Sequence, residues 1–177
     1  MIPMRDGVRL FTIVYEPRDT TRSYPILLVR TPYSIRPYEP DEYRRVLGPS
    51  QEFDREGYIF VFQDVRGKFR SEGEFEVMRP FKPSKSTSKD VDESSDTHDA
   101  IEWLLKSVPR NNGRVGMWGI SYGGFTSIQV AALRPPHLKA IVPMYATDDR
   151  YADDVHYMGG CVLGSDTLSW ASTMLAM

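Results

Sequence analysis

Cysteine is almost missing from this chain of 177 residues: Cys161 stands alone. No internal disulfide can form, so an oxidised, cross-linked secreted scaffold is excluded. An excess of either charge is missing too, with 22 basic against 24 acidic residues and a net charge of −2. That balance leaves no basic footprint for nucleic acid and no polybasic patch for a membrane. Apolar runs reach about six residues, far below the ~20 a membrane helix needs. Met1-Ile2-Pro3-Met4-Arg5-Asp6-Gly7 holds no apolar stretch of signal-peptide length, so the expected location is the cytoplasm. Nucleotide phosphate loops are absent, since neither Gly-x-Gly-x-x-Gly nor Gly-x-x-x-x-Gly-Lys-Ser/Thr occurs. What remains suits one globular domain, or one and the start of a second.

The patterns that are present read as strands alternating with helices. Val8, Leu10, Thr12 and Val14 alternate with Arg9, Phe11 and Ile13 after an Asp6-Gly7 turn, which predicts two short strands. Residues 24–30 form a continuous apolar run, as a strand buried on both faces would, and residues 58–62 form another. Between them, 34–50 reads as loop and 50–56 as a short helix capped by Ser50 and stopped at Gly57. Residues 80–96, rich in Pro, Lys, Ser and Asp, predict an exposed, mobile loop. A helix is predicted over 96–108, capped by Ser94 or Ser95, because Ile101, Leu104, Leu105 and Val108 fall at helical spacing. Then follow a strand over 114–118, a helix over 122–133 stopped by Pro135-Pro136, and a strand over 139–143. That order predicts an α/β class with a mostly parallel, doubly wound sheet. Residues 148–177 differ: an acidic stretch, a glycine-containing apolar stretch, and an amphipathic pattern from Ser165 with no stop signal at its end. Residues 1–147 are therefore read as the sheet domain and 148–177 as the start of a helical cap.

The informative motif is Gly119-Ile120-Ser121-Tyr122-Gly123, placed directly between a predicted strand and a predicted helix. A serine nucleophile needs this setting: a tight turn exposes the hydroxyl, and glycines on both sides permit the close approach of strand and helix. The free amides and positive dipole end of the helix favour a developing oxyanion, with the Tyr122 backbone N–H as one donor. The second donor should come from Thr31-Pro32-Tyr33-Ser34, where Tyr33 offers a phenolic hydroxyl, although position alone favours a packing aromatic. Acyl transfer of this kind requires no cofactor. The acidic residues Asp148, Asp149, Asp153 and Asp154 with His156 match no metal-loop spacing and read as a solvated stretch. Cys161 reads as a small packing residue and Trp103, Trp118 and Trp170 as core.

Met4–Leu10, Arg30-Thr31-Pro32-Tyr33, Gln63-Asp64-Val65-Arg66-Gly67, Ser71-Glu72-Gly73-Glu74-Phe75 and Gly116–Tyr122 stand in order along the chain. Together they resemble the N-terminal portion of the cocaine-esterase-like (CocE/NonD) hydrolases, a superfamily that includes X-prolyl dipeptidyl aminopeptidases and α-amino acid ester hydrolases. The resemblance implies an α/β-hydrolase fold, incomplete here, and a serine hydrolase that cleaves small ester, amide or peptide substrates. It implies that Ser121 is the nucleophile and that the Tyr33 hydroxyl joins the Tyr122 amide in the oxyanion hole. Asp64 and Arg66 would hold loops behind the elbow. Through an alignment needing a one-residue gap, it further implies that Asp154 binds a substrate ammonium group. Triads on this fold run Ser, Asp or Glu, then His along the chain. His137 reads as a surface-loop residue and His156 precedes the strands that deliver the acid and base, so both triad partners are expected beyond Met177. The rival readings are an X-Pro dipeptidyl peptidase, a non-catalytic ligand-binding relative and an inactive fragment. No nucleic-acid or membrane partner is expected, and a homo-oligomer remains open.

Overall fold

The N-terminal alternation sends side chains to two faces, and both faces find a core. β1 (Ile2–Pro3) pairs antiparallel with β2 (Arg9–Leu10) around Gly7, whose φ of 89° only glycine adopts freely. The computed structural model describes residues 1–84 and 87–176. The chain continues through β3 (Thr12–Tyr15), β4 (Tyr24–Thr31), α1 (Gln51–Glu56), β5 (Ile59–Asp64), α2 (Glu93–Ser107), β6 (Asn111–Ile120), α3 (Tyr122–Ala132) and β7 (Leu138–Met144). Five strands form the main sheet in the order β3-β5-β4-β6-β7, parallel throughout except for β3 at the edge.

The apolar runs of β4 and β5 lie side by side at the centre. Ile26, Leu28, Ile59 and Val61 face one core, which is closed by Ala100, Ile101 and Leu104 of α2 and Val130 of α3. Leu27, Phe60 and Phe62 face the other, under Ile35, Leu47 and Phe53. This is the period of two expected of strands covered on both sides. Each central strand ends on the same edge of the sheet. There β4 hands over to the Tyr33 loop and β6 to Ser121.

Two expectations need correction. The stretch 80–96 is not exposed throughout: residues 91–97 are buried, and α2 begins at Glu93, earlier than the apolar spacing suggested. Asp92 is the cap, in a reciprocal box with Ser95, each side chain accepting from the other's backbone amide at 2.8 Å. Glu93, Asp96 and Thr97 of this turn are inside because the buried Arg30, on β4, and Arg66, just past β5, need partners. Cys161 is also not packed; it is exposed.

Beyond β7 the chain leaves the sheet. β8 (Asp153–Asp154), β9 (Tyr157–Met158) and β10 (Cys161–Val162) make a small antiparallel sheet, followed by α4 (Gly164–Ala176). Among the described residues no helix is long and apolar enough to cross a membrane.

Candidate active site

Ser121 occupies a backbone conformation that side chains rarely adopt, φ 56° and ψ −113°. Its amide donates to the Met144 carbonyl of β7 at 2.9 Å, and its carbonyl accepts from Phe125 at 2.9 Å. The turn is tight enough that a Cβ on Gly119 would sit 2.6 Å from the Gly123 carbonyl carbon, and one on Gly124 would sit 2.8 Å from the Met144 oxygen. Strand and helix can meet this closely only through glycine. The serine is left exposed, lining a cleft, while Tyr122 behind it is buried. Tyr122 is the first residue of α3, so its amide has no intrahelical acceptor and lies at the positive end of the helix dipole.

Tyr33 lines the same cleft as Ser121 and Tyr122, and its ring packs edge-on against that of Tyr122 at 6.4 Å between centroids. The loop carrying it is pinned from below by Asp64. That carboxylate accepts from the Ile35 amide at 3.1 Å and from the Tyr38 hydroxyl at 2.8 Å. Burial pushes the Asp64 carboxyl above its usual range, against the pull of the Tyr38 hydroxyl and the backbone amides. Arg66 is the second fastener: it grips Asp96 at 2.9 and 2.7 Å and Asp6 at 2.7 and 3.2 Å, joining the N-terminal turn to the start of α2. Burial alone would lower its pKa, but the two carboxylates outweigh that and raise it.

The most deeply buried cation among the described residues was not singled out from the sequence. Arg30, at the end of β4, is 2% exposed. Its Nε donates to Gln63 at 2.7 Å, and its Nη1 to the Glu93 carboxylate at 2.8 Å and to Thr97 at 2.6 Å. Glu93 in turn accepts from the Tyr122 hydroxyl at 3.3 Å. Burial, then the adjacent Glu93 charge, pushes the Tyr122 phenol far above its usual range, so it stays neutral and donates. The signal was available: an arginine ending a strand that is apolar and covered on both faces must find a buried partner.

Residues after β7 wall the cleft. Asp154, Arg150, His156 and Trp170 line it opposite the elbow. Arg150 Nε donates to Asp154 Oδ2 at 3.1 Å, Nη2 of the same guanidinium pairs with that oxygen at 2.8 Å, and the guanidinium lies over the Phe125 ring at 4.7 Å. Asp154 Oδ1 accepts from the Val155 amide at 2.8 Å. The carboxylate expected to meet a substrate ammonium thus already carries a guanidinium partner. His156 packs against Trp170 with the rings tilted by 52° and 4.9 Å between centroids. His137 stands at the opposite end of the sheet, its ring 3.2 Å from the Gly113 carbonyl. Asp148, Asp149 and Asp153 are exposed, and Asp149 is engaged in capping the Tyr151 and Ala152 amides.

A mostly parallel sheet, helices on both faces and a Gly-x-Ser-x-Gly turn from strand to helix define the α/β-hydrolase fold. Within that fold, the chain belongs to the X-Pro dipeptidyl-peptidase (S15) family, whose model matches residues 6–177. It is 37% identical over 177 residues to a cocaine esterase from Rhodococcus sp. (strain MB1 Bresler), covering 97% of this chain and 27% of that protein. Among solved structures it is similar to an aminopeptidase from a marine sediment archaeon, Thaumarchaeota archaeon, with a TM-score of 0.79, 35% identity, and 98% and 29% of the two chains covered. An α-amino acid ester hydrolase matches with a TM-score of 0.74, 39% identity, and 92% and 27% coverage. The chain thus spans under a third of the length of these relatives.

Proposed function

We propose that the enzyme carrying these residues is a serine hydrolase that cleaves ester or amide bonds through an acyl-enzyme. Ser121 attacks the carbonyl carbon, the Tyr122 amide and the Tyr33 hydroxyl hold the oxygen as it becomes negative, and water releases the acyl group from Ser121. The observation that carries the reading is the left-handed backbone of Ser121 at the end of β6, which leaves its side chain in a cleft that Tyr33 and Tyr122 share. The general base and its acid are not assigned among the described residues, where His137 stands at the far end of the sheet from Ser121.

Ester hydrolysis is the first choice of reaction, in keeping with the cocaine esterase and the α-amino acid ester hydrolase that the chain resembles. X-Pro dipeptidyl peptidase activity is the second, favoured by the family description and by the aminopeptidase among the structural neighbours. Asp154 is a substrate-binding residue in this proposal. A carboxylate has more lone pairs than Arg150 and the Val155 amide occupy, so an ammonium group can share it. Residues 148–177 then act as the first part of a cap over the cleft.

Labelling with a fluorophosphonate, followed by peptide mapping, tests the assignment. The expected result is one adduct per enzyme, on Ser121. An enzyme that hydrolyses esters yet carries no adduct at Ser121 contradicts it, and one that neither labels nor turns over is a binding relative.

A further inference from the structure

An oxyanion hole assembled from two elements works only if those elements keep their spacing. The Tyr33 hydroxyl hangs from the loop after β4, and the Tyr122 amide belongs to the start of α3. One buried ion pair is linked to both elements. The side chains of Arg30 and Glu93 are 1% and 5% exposed and meet at 2.8 Å. Arg30 stands three residues before Tyr33 on the chain, and a Cβ on Gly123 would lie 3.3 Å from the Arg30 carbonyl. Glu93 reaches the other donor's residue through the Tyr122 hydroxyl. The Arg30 Nη1 also bonds the Glu93 carbonyl at 3.0 Å and Thr97, so the pair is fixed to the first turn of α2.

Stability gives little reason for an ion pair here, because apolar residues of similar volume often serve a buried position as well or better. Directional bonds are what an apolar cluster cannot supply. From this geometry we propose that the Arg30–Glu93 pair is a positioning element that sets the separation of the two oxyanion donors. It acts through Tyr122 and through the end of β4, and touches no substrate. The proposal rests on the serine-hydrolase reading above.

Its signature is loss of transition-state stabilisation without loss of substrate binding. The test measures kcat and KM on a p-nitrophenyl ester, and the affinity of butylboronic acid, for Glu93→Gln, Tyr122→Phe and Ser121→Ala in the enzyme carrying this chain. The boronate forms a tetrahedral adduct on a serine oxygen and places an oxygen where the oxyanion would be. Glu93→Gln should lower kcat about tenfold, with KM nearly unchanged and the boronate weakened by the same factor. Tyr122→Phe keeps the ring, the backbone amide and the ion pair, removes only the link to Glu93, and should show the same pattern at roughly threefold to fivefold. It decides the matter if Glu93→Gln does not fold. Turnover and boronate affinity within about twofold of the parent in Tyr122→Phe would overturn the proposal. A KM that rises as much as kcat falls would do so as well. Turnover or boronate binding that survives Ser121→Ala would instead refute the serine-hydrolase reading itself.

Discussion

The two walls of the cleft are built differently. The sheet side, residues 1–144, holds Ser121, Tyr33 and Tyr122 on strand ends and a helix start fastened by buried arginines: Arg30 to Glu93, and Arg66 to Asp96 and Asp6. The opposite side, residues 145–176, places Arg150, Asp154, His156 and Trp170 on a small antiparallel sheet, its turns and α4, where Met174 is the buried residue and Tyr145 and Leu175 are each at least 90% exposed. Reaction geometry tolerates little error, and a displacement of 1 Å can cost about 10² in rate. Recognition of a substrate's outer groups tolerates more. On this account the sheet side sets the rate of the chemistry and the hairpin side sets which substrates are preferred.

The comparison breaks most sharply at the nucleophile. Ser121→Ala should lower kcat by about 10⁶ if the triad acts as a unit, with the fold kept, because the hydroxyl is lost from the strand-to-helix turn that presents it. Activity within tenfold of the parent would remove Ser121 from the mechanism.

Next in size is a loss of stability on the sheet side. Arg66→Met leaves Asp96 and Asp6 without their cation and should cost about 3–5 kcal/mol by denaturant unfolding. A cost under about 1 kcal/mol would show that the fastener is not needed. The same side should respond to acid. Burial works against the Asp6 and Asp99 carboxylates, but hydrogen bonds from Arg66 and Arg5 outweigh it and hold both below the usual range. Carboxyls lowered by folding contribute stability above about pH 4 that is lost as the pH falls through their folded values. Asp99→Asn should therefore flatten the decline in unfolding free energy between pH 5 and pH 2, and an unchanged slope would contradict this. The Asp64 carboxyl, raised by burial, opposes the trend.

The smallest expected effect is on the hairpin side. Asp154→Asn should weaken substrates bearing a free α-amino group by about 1–3 kcal/mol relative to their N-acylated counterparts, since a hydrogen bond to a charged group is lost. Equal effects on the two substrate types would leave Asp154 as the partner of Arg150 alone, and the two walls would not divide rate from preference as argued.

How much of this was legible in the sequence follows from which interactions are local. The apolar runs of β4 and β5 and the Gly119–Gly123 turn are short-range signals, and the sheet and the elbow follow from them. The polar turn at 91–97 misleads for a physical reason: its serines and acids look like solvated loop residues until the arginines that bury them are known. Those arginines lie 30 or more positions away, at Arg66 and Arg30, so the pairing of charge with charge is set by topology and not by spacing. Tyr33 shows the middle case. Position alone favours packing, family resemblance reverses this toward catalysis, and Tyr33 lines the cleft beside Tyr122. Cys161, assigned to packing on composition, stands exposed on a hairpin that buries few side chains of its own.

The central claim is that the sheet side carries both oxyanion donors, and Tyr33→Phe tests it most directly. The phenyl ring and its contact with Tyr122 remain, so the melting temperature should shift little. The hydroxyl meets the carbonyl oxygen best once that oxygen is negative, so kcat should fall by roughly 10²–10³ with KM little changed, whichever ester is used. A kcat for Tyr33→Phe within about threefold of the parent would contradict the account, leaving Tyr33 as a packing aromatic and the second donor to a backbone amide near Ser34.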